Sequence, residues 1–268
     1  MAKTTGDDLF ERYLREQGYD PGLHEPSLEA YGIKKRPDYL PSLGSMQIAC
    51  EVEQFTAGAS ALERRLTSQR TVSASAKEVY GPIRKHIKGA AGQLKPLQAL
   101  ELPLVVVLAN PEGALVDLSL NRVVAAMYGN PQFAIRIDTA TGAAAGPVRL
   151  ELGRDGKLTN DHPYISAVAL LRRREYKMDR IDEIAAAEAP ARQARDLDEA
   201  SAQALELLRR LNQEKLPEGD YVYLDVIETA SECAVRLPLD WFAGEHDSRW
   251  RLNVDDDYYE HVRGPRRR

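Results

Sequence analysis

Three carboxylates close together in the chain are of a kind that could do chemistry: Asp38 in RPDYL, and Glu51 and Glu53 in ACEVEQF. Side chains alternate along an extended strand, so Glu51 and Glu53 project from one face while Ile48, Cys50 and Val52 project from the other. Two neighbouring anions repel, and burying both costs several kcal/mol unless a cation or protons compensate. The stretch PSLGS, Pro41 to Ser45, reads as a turn. A hairpin through it, from Pro37–Leu40 into a strand over Met46–Phe55, carries Asp38 alongside the glutamates. Three converging carboxylates suit a hard divalent cation such as Mg²⁺, whose remaining positions go to water and phosphate oxygens. The plainer alternative is an edge strand with both glutamates turned to water.

The elements that must position these groups follow from periodicity. Asp7–Gln17 reads as a short helix, with Leu9, Phe10, Tyr13 and Leu14 on one stripe and Gly18 as its stop. Thr56–Glu78, rich in Ser, Ala, Thr and Gly, reads as a flexible insertion or a frayed helix. A helix over Pro82–Leu94 follows, with Pro82 near its first turn and Ile83, Ile87, Ala90 and Leu94 at helical spacing. The uninterrupted run LPLVVVLANP, Leu102 to Pro111, suits a strand buried on both faces. A helix over Leu118–Tyr128 and strands over Phe133–Asp138 and Tyr164–Leu171 continue the alternation. The expected class is therefore α/β, a mixed central sheet flanked by helices over residues 1–178. Residues 179–268 form a helical and short-strand part, packed on the same domain or mediating dimerisation. Its helical signal is strongest over Leu197–Leu211, and Tyr221–Phe242 reads as two short strands.

Composition narrows the partners. With 268 residues, 43% of them hydrophobic, the chain can bury a sizeable core. Its start lacks a secretory apolar run and Leu102–Ala109 is too short to span a bilayer, so a cytoplasmic protein without a membrane partner is expected. The two cysteines, Cys50 and Cys233, both read as core residues. The formal net charge is −5, yet the stretch from Thr56 to Pro96 is locally basic, with Arg64, Arg65, Arg70, Lys85 and Lys88 among its cations. Such an excess faces phosphates or is simply a solvated face. No phosphate-loop, dinucleotide, nucleophile-elbow or HExxH motif is present. The DHP at Asp161–Pro163 reads as a turn, and DDDYYEH, Asp255–His261, as a solvated acidic segment.

The order RPD, turn, ACEVE resembles the PD-(D/E)xK nuclease superfamily. The likeness covers roughly Asp7 to Pro111, taking in a helix bearing Glu11 before the motif and KxxxxQL at Lys88–Leu94 after it. YISAVALL at Tyr164–Leu171 and LPLDWFAGEHDSRW at Leu237–Trp250 are similar to restriction-endonuclease-like proteins. The resemblance implies a restriction-endonuclease-like fold and hydrolysis of DNA phosphodiesters with Mg²⁺ or Mn²⁺, in restriction or defence against foreign DNA. Asp38 and Glu51 would ligate the metal together with the carbonyl of Val52. Glu53, Gln93 and Glu11 would stand at the catalytic site, although by helical angle Glu11 lies off its helix's apolar stripe. Arg64, Arg65, Arg70, Lys85 and Lys88 would meet the nucleic acid.

One position departs from the pattern, because Glu53 stands where the motif has Lys. Three explanations stay open: Glu53 holds a second cation or acts as the base, Lys85 or Lys88 supplies the cation from the following helix, or the site has degenerated to binding alone. His86, at the border of that helix's apolar stripe, reads as a partly exposed histidine without a catalytic role. Three further readings stay open: a homodimer, a complex with defence-system proteins, or an interaction protein docked through Leu197–Leu211.

Overall fold

The computed structural model describes residues 3–58, 64–65, 75–129, 131–134, 137–143, 149–152, 161–188, 202, 205, 209, 215–229, 231–253 and 258–262. The expectations for Arg70 and for most of Leu197–Leu211 fall outside them. Contacts divide the chain into two units, Met1–Arg172 with Leu224–Arg268, and Arg173–Tyr223. Residues from Leu224 onward group with the first unit.

Helix α1 (Thr5–Glu16) opens on a capping box in which the Thr4 hydroxyl accepts from the Asp7 backbone and the Asp7 carboxylate accepts from Thr4. Two short strands, β1 (Ser42–Leu43) and β2 (Met46–Gln47), form the hairpin tip, and β3 (Ala49–Gln54) follows. The single strand expected from Met46 is therefore broken at Ile48, where the chain leaves β1 and joins β4 (Leu104–Ala109). Helix α2 (Ala76–Leu94) lies between β3 and β4 in sequence. It starts at a Ser75–Glu78 capping box, six residues before Pro82, so Pro82 sits inside the helix rather than at its first turn. Helix α3 (Leu120–Tyr128), the hairpin of β5 (Pro131–Ala134) and β6 (Arg149–Leu152), and β7 (Ala167–Glu175) come next. Helix α4 (Tyr176–Glu188), β8 (Asp220–Glu228), β9 (Ser248–Asn253) and β10 (Tyr258–His261) complete the order.

The main sheet is mixed, in the order β10, β9, β8, β7, β4, β3. Strands β3, β4 and β7 run parallel, as do β8 and β9, whereas β9 and β10 are antiparallel. All six residues of β4 are buried, which is what an uninterrupted Val/Leu run in a parallel strand requires. Alternation sends Ala49, Val106, Leu108 and Val168 into the core formed with Ile83, Ile87, Ala90 and Leu94 of α2. Helix α1 covers the opposite face. A Cβ placed on Gly6 would come 3.3 Å from Ala109 Cβ, and the Gly6 N–H donates to Gln54 Oε1 at 2.7 Å.

The outer side of α1 meets an aromatic group from the far end of the chain. Tyr19 stacks on Trp241 with centroids 4.9 Å apart, Tyr13 lies against Phe242, and the Tyr13 hydroxyl donates to Asp247 Oδ2 at 2.6 Å. The second short strand expected before Phe242 does not form, and an arginine explains why. Buried Arg249 pairs with buried Glu228 and donates to the carbonyls of Leu237 and Pro238, at 2.5 and 2.8 Å, and of Trp241. Those carbonyls are thereby satisfied without a strand partner. Arg249→Met is expected to lower unfolding stability by about 3 kcal/mol, because it leaves several carbonyls and one oxygen of buried Glu228 unpartnered, Arg251 still holding the other. Urea unfolding checks this, and a loss under about 1 kcal/mol would show that the guanidinium does not hold the segment.

In the unit Arg173–Tyr223, Arg174 pairs with Asp179 and Asp182 and Arg173 with Asp220. The Tyr176 and Tyr221 rings lie 5.0 Å apart. Cys50 is buried as expected, but Cys233 is exposed, which corrects its assignment to the core. Among the described residues no helix is long and apolar enough to cross a membrane.

Candidate active site

Strand β3 lies at the sheet edge, and residues 38–39 cover its outer side. Tyr39 and Cys50 exchange backbone hydrogen bonds of 3.1 and 2.9 Å. One residue away, the Val52 N–H donates to Asp38 Oδ2 at 2.7 Å. This bond fixes the Asp38 carboxylate against the strand that carries Glu51 and Glu53. The Val52 carbonyl points to the same side as its N–H, away from β4, since both groups of one strand residue face one neighbour. Asp38 and Val52 are thus hydrogen-bonded neighbours, and the Asp38 charge bears on Glu51.

Glu51 and Glu53 share the α2 face, with different surroundings. Glu51 is 9% exposed, and its Oε2 has no hydrogen-bond partner among the described residues. Burial, together with the charges of Asp38, Glu53 and Asp7, pushes its pKa up to about 8. Burial also raises Asp38 to about 6, against the pull of the Val52 hydrogen bond. Glu53 is taken up by His86, whose Nδ1 lies 2.6 Å from Glu53 Oε2 while its ring rests 4.3 Å from that of Phe55. Gly89 makes room for this pair, since a Cβ there would sit 3.1 Å from Glu53 Oε1. His86 is partly exposed as expected, and it pairs with Glu53.

Two residues that the sequence did not single out complete the acidic centre. Asp7, in the first turn of α1, and His24, in the loop after it, come together with Asp38 so that one ligand atom from each lies within 4.8 Å of the others. Asp7 is 5% exposed. It stands beside Asp38 one turn earlier on the helix than Glu11. Glu11 is buried too, but its carboxylate is spent on Lys3 and Arg15, whose charges hold its pKa below the ordinary range.

The remaining expected residues lie elsewhere. Gln93, one heptad beyond His86, is exposed, as are Lys85 and Lys88. Among the described residues no lysine pairs with Asp38, Glu51 or Glu53, so His86 and not a helix lysine meets Glu53. Arg65 pairs with Glu78 at 2.6 Å, and the Arg64 guanidinium reaches the Gly58 carbonyl at 3.5 Å.

Comparison of the chain with protein-family models, with curated proteins and with solved structures finds no match.

Proposed function

We propose that the chain is a divalent-metal-dependent DNA endonuclease whose restriction-endonuclease-like core is the β3–β4–β7 sheet with α1 and α2. The observation that carries this reading is the meeting of Asp38 and Glu51 at the sheet edge, beside the outward carbonyl of Val52. These oxygens fit a hard dication. Both carboxyls hold their protons above the ordinary range, and the buried Glu51 Oε2 has no partner, which is the signature of anions brought together without their counter-charge. Asp38, Glu51 and the Val52 carbonyl would hold Mg²⁺ or Mn²⁺. Such an ion, when bound, neutralises charge on phosphoryl oxygens and lowers the pKa of water. Glu53, held by His86, is the chain's own group for orienting the attacking water and accepting its proton. A role in restriction or defence is carried over from the superfamily resemblance, and the cytoplasm is its natural setting.

A binding-only module with the same sheet is the second reading, favoured by one observation. The motif lysine is replaced by Glu53, and no lysine substitutes for it among the described residues. The two readings separate on supercoiled plasmid and linear DNA incubated with Mg²⁺, then Mn²⁺, then excess chelator. The endonuclease reading expects nicking or linearisation with metal that stops on chelation. DNA retained on the protein without any cleavage under either metal gives the module the lead.

A further inference from the structure

We infer that Asp7, His24 and Asp38 form a mixed nitrogen and oxygen site that binds a first-row transition dication such as Mn²⁺ in preference to Mg²⁺. This inference stands whether or not the chain cleaves DNA. The three donor atoms lie within 4.8 Å of one another. They come from separate segments: the first turn of α1, the loop after it, and the residue held by the Val52 N–H. Nearness alone would carry little weight, but the polar bookkeeping of two members points to a ligand. Asp7 Oδ2 is satisfied by the Thr4 N–H and hydroxyl, both at 2.8 Å. Its Oδ1 is buried without a hydrogen-bond partner, in a residue that is 95% buried by its 5% exposure. His24 Nε2 is likewise buried and unpartnered.

Those two atoms face each other at 3.7 Å, with side chains 7% and 13% exposed. A direct hydrogen bond would close to roughly 2.9 Å, so at 3.7 Å the pair is not hydrogen-bonded. Two ligands bound at about 2.1 Å to one ion sit roughly 3.0 to 3.5 Å apart. The observed spacing is therefore nearer to that of ligands around a common centre than to that of a bonded pair. The His24 ring is held edge-on to Tyr39, with centroids 5.3 Å apart, which fixes its plane.

The donor set determines the ion. Carboxylates alone suit Mg²⁺ or Ca²⁺, whereas an imidazole nitrogen adds affinity for later divalent ions. His24 is therefore a specificity-determining ligand. Asp38 belongs to this set and to the Glu51 set, so losing it affects both, while losing His24 affects only this one.

The test uses the full chain stripped by chelator and titrated with MnCl₂ or MgCl₂, with free Mn²⁺ read by electron paramagnetic resonance and heats by calorimetry. The native chain is expected to bind Mn²⁺ at least about tenfold more tightly than Mg²⁺. His24→Gln is expected to lose about tenfold or more in Mn²⁺ affinity with little change for Mg²⁺. Pulsed resonance on the native chain, which needs no variant to fold, is expected to show nitrogen coupling to bound Mn²⁺ that disappears in His24→Gln. Equal affinity for the two ions, absent nitrogen coupling, or coupling that survives the substitution would overturn the assignment. The two readings fail separately: Mn²⁺ held through His24 without cleavage sinks the endonuclease, and cleavage without nitrogen coupling sinks this site.

Discussion

In the presence of chelator, the stability of the native chain is expected to fall as pH rises from about 4.5 to about 8, and Glu51→Gln is expected to remove most of that fall. The sign follows from proton counting. In the folded chain Glu51 keeps its proton up to about 8 against an ordinary 4.5, and Asp38 up to about 6 against 3.8. Between those limits the folded state binds more protons than the unfolded state, so stability declines with rising pH. The contribution is fully present below the unfolded pKa values and lost as pH passes the folded ones. At about 1.4 kcal/mol per pH unit, Glu51 alone accounts for a loss on the order of 5 kcal/mol. Glutamine keeps the shape and carries no charge, so its unfolding midpoint should fall much less across the window, the remaining decline being that of Asp38 below about pH 6, and should exceed that of the native chain at pH 8. Saturating Mg²⁺, the ion suited to the all-oxygen set of Asp38, Glu51 and the Val52 carbonyl, should restore the native chain at pH 8 and help Glu51→Gln far less. Urea midpoints at pH 5 and pH 8.5, with and without metal, decide it. Parallel slopes for native and variant would show that Glu51 does not carry the buried charge.

The second large effect concerns rate. Asp38→Asn is expected to lower metal-dependent DNA cleavage by on the order of 10³-fold or more, about 4 kcal/mol of transition-state stabilisation. The substitution isolates charge from structure, because asparagine can still accept the Val52 N–H bond and the backbone bonds between Tyr39 and Cys50 do not involve the side chain. Single-turnover cleavage by native and variant chains of matched melting temperature measures it. A variant within tenfold of native would exclude Asp38 from the reaction. Gln93→Ala, an exposed position, should leave the rate nearly unchanged.

What the sequence conveyed depended on how far each signal is local. The buried strand β4 was legible because six consecutive apolar residues leave no other economical placement. The meeting of Asp38 with Glu51 and Val52 was legible because a turn between two extended segments fixes the register. Asp7 was not, since an acid in the first helical turn already has a local role as a capping residue, and Asp7 performs that role through Oδ2. His24 sits in a proline-bearing loop without periodicity, so nothing nearby in sequence announces its partners. The stretch up to Phe242 looked like a strand by composition, but a charge outside it, Arg249, takes the carbonyls that a strand would have offered. The start of α2 was misplaced because Pro82 is a strong local signal, overridden here by the capping box at Ser75.

The aromatic cover of α1 also bears on the order in which the molecule can assemble. Tyr13 and its bonding partner Asp247 are separated by 234 residues, and Tyr19 waits for Trp241. Contacts of such separation close late, because the loop entropy must be met before they contribute. During synthesis Asp38 and Glu51 emerge early, with the turn that joins them. The helix presenting Asp7 gains its outer packing only once the segment around Trp241 and Asp247 has left the ribosome. The acidic centre is thus completed by a part of the chain that contributes none of its side chains.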